Sequence, residues 1–369
     1  MLETSGYKVA DPDSLETPAM LLFEEQLEYN ITTMCDMAGG AANLMVHVKT
    51  HKSAAVTRRL VQAGVGGLKC ATLRELQMVL EEGTPEAILA YPQVQRSKVE
   101  RLVALVAEHS DSKVFAIVSL AEHIDVLASV AESANQTIDV LLDIDVGTRR
   151  TGVGWDGVEA MYRNIAERAR LNAAGFHMYD GHEHVADLQQ RAAAAQVHMD
   201  AANRVAGSLR EQGLPVDRLV GGNTFSFPYY ARAAGYHGSP GACTYWDANY
   251  DRATEDMPFR WAVAVMCQIV DRHPQHQTVT TDLGLKAVPP DSDMASRAHV
   301  LGRDGWQLLR QNEEHGVFHC PGPLPSVGEY LLAVPGHVCP TAMLHPGCFL
   351  VDAAGDVIDF YPHTARDRQ

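Results

Sequence analysis

Lys49 stands in the run Val46-His-Val-Lys-Thr-His-Lys-Ser53, flanked by His47 and His51 and fed by the apolar stretch Ala42-Asn-Leu-Met-Val46. Lysine is among the side chains least often buried, and burial lowers its pKa toward the free amine that attacks carbonyls. Lys49 is therefore a candidate Schiff-base nucleophile; the plain alternative is a solvated lysine at a strand end. Arg150 lies in Asp143-Ile-Asp-Val-Gly-Thr-Arg-Arg-Thr-Gly152, where a five-donor fork could point at the same centre or into solvent. Tyr179-Asp-Gly-His-Glu-His184 adds Tyr179, a core or site residue, and His182 and His184, either of which suits a general base near neutrality. Gly221-Gly222-Asn223-Thr224 reads as a plain turn or as a backbone cradle for phosphate, with the Thr224 hydroxyl as a further donor. In Val334-Pro-Gly-His-Val-Cys-Pro-Thr341, His337 and Cys339 are two apart and share one face of an extended strand. An imidazole and a thiolate suit zinc and leave positions open for water or substrate, against the alternative of a buried cysteine beside a satisfied histidine.

These residues need elements to hold them. Strand-like apolar runs occur at Ala42–Val48, Gly67–Ala71, Ala87–Tyr91, Lys113–Val118, Ile138–Ile144, Ala173–Tyr179, Arg218–Gly222 and Ala242–Asp247. Between them, segments such as Leu73–Glu81, Ser97–Glu108, Leu120–Ser133, Val158–Arg170 and Asp187–Glu211 repeat apolar residues at helical spacing. Strands alternating with helices imply a parallel sheet, and eight units fit a (β/α)8 barrel better than a doubly wound sheet, which stays open. In a barrel the chemistry collects at the C-terminal strand ends. Lys49, Arg150, Tyr179, Gly221–Thr224 and Gly241-Ala-Cys-Thr244 all fall there.

After Tyr250 the helical texture gives way to β-rich runs punctuated by Pro and Gly, a second and mainly β domain. The expected division is a barrel over 16–250 and a β domain from 1–15 plus 251–369, while Ala19–Phe23 could pair with the barrel. A formal net charge of −16 argues against nucleic-acid or anionic-membrane partners, since no basic surplus exists to neutralise phosphates. Seven scattered cysteines do not read as a disulfide framework, and the N-terminal residues lack the basic and apolar regions of a signal peptide. A cytoplasmic protein with reduced thiols is expected.

The chain resembles the fold-type III pyridoxal-phosphate enzymes, and within them the D-threonine aldolase and D-serine dehydratase group, over nearly its whole length. The resemblance rests on His47-Val-Lys-Thr-His-Lys52, Asp145-Val-Gly-Thr-Arg-Arg-Thr-Gly152, Tyr179-Asp-Gly-His182, Asp282-Leu-Gly-Leu-Lys-Ala287, His337-Val-Cys-Pro-Thr341 and Ala365-Arg366. It implies an alanine racemase-like barrel followed by a β domain, with Lys49 rather than Lys52 tethering pyridoxal 5'-phosphate. It further implies Arg150 near the cofactor's phenolic oxygen and Tyr179 near its ring nitrogen. Gly221, Gly222, Asn223 and Thr224, with Gly241, Cys243 and Thr244, would hold the phosphate. His337 and Cys339 would bind a divalent metal (Mn, Mg or Zn) beside the substrate, and a homodimer would complete the site.

Such a site supports two reactions of a D-β-hydroxy-α-amino acid. A base at His182 or His184 taking the hydroxyl proton breaks Cα–Cβ and gives glycine plus an aldehyde, helped by metal coordination of the hydroxyl. Removal of the α-proton by Lys49 instead leads to dehydration, to an α-keto acid and ammonia. Tyr179-Asp-Gly-His182 and Asp282-Leu-Gly-Leu-Lys-Ala287 favour the D-threonine aldolase. A D-serine or D-3-hydroxyaspartate dehydratase is the alternative, to which Cys339 is familiar. A racemase would share lysine and barrel but have no use for His337 and Cys339.

Overall fold

The structure, a computed structural model, describes residues 1–254 and 256–368. Glu255 and Gln369, inside the range assigned to the β domain, lie outside the described residues. The chain divides into two compact units: Met34–Lys49, Thr57–Gly241 and Asp367–Gln369 in one, and Met1–Thr33, Thr50–Val56 and Ala242–Arg366 in the other.

The first unit is an eight-stranded parallel sheet in sequential order, Met45–His47, Gly67–Cys70, Glu86–Leu89, Lys113–Val118, Ile138–Ile144, Leu171–Met178, Arg218–Gly221 and Tyr236–Gly238. It closes on itself through a parallel bridge between Leu44 and Gly238 and the His47 N–H donating to Pro240 O at 2.7 Å. The strands are nearly continuous apolar runs because a parallel sheet is covered on both faces. Met45, Ile88, Phe115, Ile117, Leu141, Ala174 and Val220 form one buried cluster. Two of the helices start at side-chain caps that the sequence supplies. Thr72 accepts from the Glu75 N–H, and Glu75 reaches back to the Ala71 N–H at 2.6 Å, a reciprocal cap opening Leu73–Glu81. Asp187 caps the 24-residue Leu188–Glu211 helix by accepting from Gln190 N–H.

One barrel strand is displaced from its expected place. The eighth is Tyr236–Gly238, and Ala242–Thr244 is a 3-10 turn. Closure at Leu44 and Gly238 completes the barrel before Pro240, so the apolar residues that follow are buried for another reason. They lead through Trp246, at φ 57°, to Asp247, which caps the Ala248–Ala253 helix.

The second unit is a mainly antiparallel sheet built on Val263–His273. Ala19–Phe23 pairs there with Val263–His273 and Gly347–Val351, and not with the barrel. All five of its residues are buried, which suits a central strand better than an edge. The β-rich texture expected after Tyr250 appears as strands that include Thr278–Thr281, Gly316–His319, Tyr330–Pro335 and Gly347–Val351. No helix among the described residues is long and apolar enough to cross a membrane.

Candidate active site

Lys49 lies on the one-turn helix Val48–Thr50 that follows its strand, half-buried, with its N–H directed at His47 Nδ1 3.3 Å away. One strand over, Lys69 is fully buried. Burial, then the charge of Lys49, pushes its ammonium down to about 7, with Asp143 and Asp180 opposing and Arg150 adding to the fall. Lys69 Nζ is 5.6 Å from the centre of the Tyr179 ring, and the exposed Arg150 guanidinium is 4.8 Å from the same centre. The structure thus brings Lys49, Arg150 and Tyr179 together around a lysine not singled out from sequence. Behind them, Asp143 Oδ1 is 2.7 Å from His177 Nδ1, and its other oxygen accepts from the Thr151 hydroxyl at 2.8 Å. A carboxylate at Nδ1 holds the ring proton there, leaving His177 Nε2 as the acceptor nitrogen. That atom is buried without a partner, and burial keeps the imidazole below its ordinary pKa.

The loop after Leu171–Met178 carries Asp180, His182, Glu183 and His184. Asp180 is buried, and burial lifts its carboxyl to about 6 against the hydroxyls of Ser226 and Tyr230, which lie beside it without forming regular hydrogen bonds. His182 Nε2 is 3.4 Å from Glu183 Oε1, and His184 packs edge-on against Phe225 with centroids 5.7 Å apart. Asn223 ties this loop down by donating to Asp180 O at 2.8 Å.

At the expected phosphate cradle, a Cβ on Gly221 would meet the Tyr230 ring at 2.3 Å, so this glycine is explained by close packing of the Phe227–Ala231 helix. The amides of Gly222 and Asn223 are already donated, to Met178 O at 3.1 Å and to the Ser226 hydroxyl at 2.9 Å. Thr224 and Gly241 are buried.

In the second unit, Cys243 is buried, and burial drives its thiol pKa well up, while the buried Thr244 hydroxyl has no hydrogen-bond partner. His337 and Cys339 do not lie on a strand as expected. The strand ends at Pro335, Gly336 follows, and His337 is the cap residue of the Val338–Leu344 helix. Asp247 makes this turn possible by accepting from the Val338 N–H at 3.0 Å. His337 Nδ1 sits 2.5 Å from Asp291 Oδ2. Burial works against the imidazolium, yet the neighbouring Cys339 sulfur, then Asp291 and Asp247, carry His337 up to about 9. Cys339 Sγ is 3.3 Å from the Thr50 hydroxyl. Among the described residues no three His, Cys, Asp or Glu side chains are grouped to hold a metal ion.

Lys69, His177 and Asp291 escaped the reading of the sequence. The first two carried a usable signal, a charged or ring-nitrogen residue inside an otherwise apolar strand run, whereas Asp291 sits in a Pro-rich connection with no pattern around it.

A parallel barrel with a lysine at its mouth and a β unit beyond it in sequence define a class, and comparison agrees: the chain belongs to the alanine racemase-like family, matching the alanine racemase N-terminal domain over residues 24–248. The model of a serine dehydratase domain matches residues 262–351. Within that family the chain is 28% identical to D-threonine aldolase of Arthrobacter sp over 363 residues, covering 95% of this chain and 93% of the relative. It is 25% identical to 3-hydroxy-D-aspartate aldolase of Paracoccus denitrificans (strain Pd 1222) over 387 residues, 99% and 98% of the two chains. The crystal structure of D-threonine aldolase from Filomicrobium marinum superposes with a TM-score of 0.88 at 30% identity, covering 96% and 97%. These relatives place the chain in the branch of D-threonine aldolases, 3-hydroxy-D-aspartate aldolases and dehydratases.

Proposed function

We propose that the protein is a D-threonine aldolase dependent on pyridoxal 5'-phosphate and a divalent metal (Mn, Mg or Zn), cleaving D-β-hydroxy-α-amino acids to glycine and an aldehyde. The observation that carries this is the convergence of Lys49, buried Lys69 and Arg150 on one barrel mouth around Tyr179. Lys49, Lys69 and Arg150 beside Asp143 and Asp180 suit a phosphorylated aldehyde, and the unpartnered His177 Nε2 supplies a polar atom in need of a ligand. The residues therefore fit the cofactor. The amides of Gly222 and Asn223 are engaged within the loop, so the Thr224 side chain is the group of that run left to face its phosphate.

Bound pyridoxal phosphate would act as an electron sink for the bonds at the substrate Cα. Lys49 would carry the aldehyde, Arg150 would face its phenolic oxygen and Tyr179 its ring nitrogen. His182 or His184 takes the hydroxyl proton of the substrate. His337 and Cys339 would hold the metal, which lowers the pKa of that hydroxyl, and Asp291 orients His337 from its Nδ1 side. A homodimer in the cytoplasm completes the reading.

The dehydratase reading is favoured by the match at residues 262–351 and by the Cys339 ligand. Incubation of metal-replete enzyme with D-threonine and D-serine separates the two. Glycine and acetaldehyde support the aldolase, and keto acid with ammonia replaces it by the dehydratase. Sedimentation at the mass of one chain would remove the dimer.

A further inference from the structure

Glu183 Oε1 stands between two imidazoles, 3.4 Å from His182 Nε2 in its own loop and 3.9 Å from His198 Nε2 in the Leu188–Glu211 helix. A third group shapes the same place. An ideal Cβ on Gly147 would lie 2.6 Å from His182 Nε2, and Gly147 has φ +128°, so only glycine leaves the His182 ring its position. The Nε2 end of the ring is thus approached both by the turn after Ile138–Ile144 and by a carboxylate. His184 has a different environment, its edge against Phe225.

A carboxylate at Nε2 keeps the proton of a neutral imidazole on that nitrogen and leaves the lone pair on Nδ1. We propose that Glu183 is a positioning residue that fixes the Nε2–H tautomer of His182, which makes His182 and not His184 the base, and that His198 anchors the Glu183 carboxylate from behind. His198 is suited to this. It is buried, burial holds its pKa down against the pull of Glu183, and its Nε2 has no closer hydrogen-bond partner. The inference rests on the aldolase reading. In the step, the substrate hydroxyl proton moves to His182 Nδ1 and the imidazolium charge forms beside Glu183. The O–H electron pair becomes the second C–O bond of the aldehyde, the Cα–Cβ pair stays with the glycine carbon, and one proton later returns there. No oxidant or reductant enters.

The other groups facing this trio are Asp145, whose charge acts on His182, and Asp180 and Tyr230, which lie near Glu183. All three stay in place in the test. The holoenzyme is assayed on D-threonine as wild type, Glu183→Gln and Glu183→Leu, with 15N imidazole spectra recorded on the same samples. Glu183→Leu is expected to lower kcat roughly tenfold with little change in KM, and to turn the His182 signals from one tautomer into a mixture. Glu183→Gln keeps an acceptor, so it keeps the tautomer and most of kcat. Unchanged tautomer signals in Glu183→Leu overturn the inference even where the wild type cleaves D-threonine. Tautomer signals that do change in a protein unable to cleave D-β-hydroxy amino acids uphold the positioning of His182 and sink the aldolase reading instead.

Discussion

The barrel mouth and the turn at His337 hold ionisable groups in opposite ways. Lys69 and His177 are carried on strands and Asp180 follows one within two residues; all three are buried, and in each the largest influence is burial, which pushes the group toward its neutral form. His337 begins a helix, is 42% exposed, and is surrounded by Cys339, Asp291 and Asp247, whose pull toward the charged form exceeds the effect of burial. A strand end inside a barrel can hold a side chain out of water because the sheet around it does not yield. His177 Nε2 is one atom left there without a protein partner. The turn supplies its own partners, since Asp291 already occupies His337 Nδ1 and the Cys339 sulfur lies against the Thr50 hydroxyl.

That contrast means that the two regions fail differently when cut. Lys49→Ala should have the largest effect, a loss of activity of about a thousandfold or more together with loss of the visible absorption band of bound cofactor. A band that persists unchanged in this variant would exclude Lys49 as the tether. Next in size, His337→Ala and Cys339→Ala should each reduce activity by roughly a hundredfold or more while leaving that band intact, with metal content measured by atomic emission falling in step. Treatment with a chelator should reproduce this in the wild type, and readdition of metal should reverse it only there. Asp291→Asn should be milder, weakening metal affinity by about ten- to a hundredfold with kcat recovered at saturating metal. A kcat that stays low at any metal concentration would mean that Asp291 does more than orient His337.

The same contrast explains what the sequence could and could not disclose. The strands from Met45 to Gly221 were legible because a parallel sheet covered on both faces demands uninterrupted apolar runs, and Lys49, Arg150 and Tyr179 follow their C-terminal ends. The eighth strand was misplaced because Tyr236–Gly238 is too short to show a pattern, whereas Ala242–Asp247 is apolar for reasons of burial in a turn. Ala19–Phe23 was recognisable as a strand, yet its pairing partners lie more than 240 residues further on, and no local rule reaches that far. The spacing of His337 and Cys339 suggested one face of a strand. Gly336 and the Asp247 carboxylate, one local and one 90 residues upstream, turn the chain into a helix there. Asp291 was out of reach for a similar reason, because its importance comes entirely from a contact 46 residues away.

The smallest effect tests the physical basis of the comparison. Asp180 has its folded pKa raised from an ordinary 3.8 to about 6, burial being the main cause. A carboxyl whose folded pKa is raised takes up a proton on folding, so it costs nothing below about pH 4 and destabilises progressively as pH rises through 6. Asp180→Asn should therefore leave the melting temperature nearly unchanged at pH 4 and raise it at pH 8, by an amount corresponding to about 1–3 kcal/mol, or a few degrees for a chain of this size. Asp291→Asn, at a carboxylate 39% exposed and already paired, should show little such dependence. Calorimetry of both variants at the two pH values decides the matter. An equal gain for Asp180→Asn at pH 4 and pH 8 would show that its carboxylate is not burdened by burial, and the barrel mouth would then differ from the His337 turn in position rather than in how it holds charge.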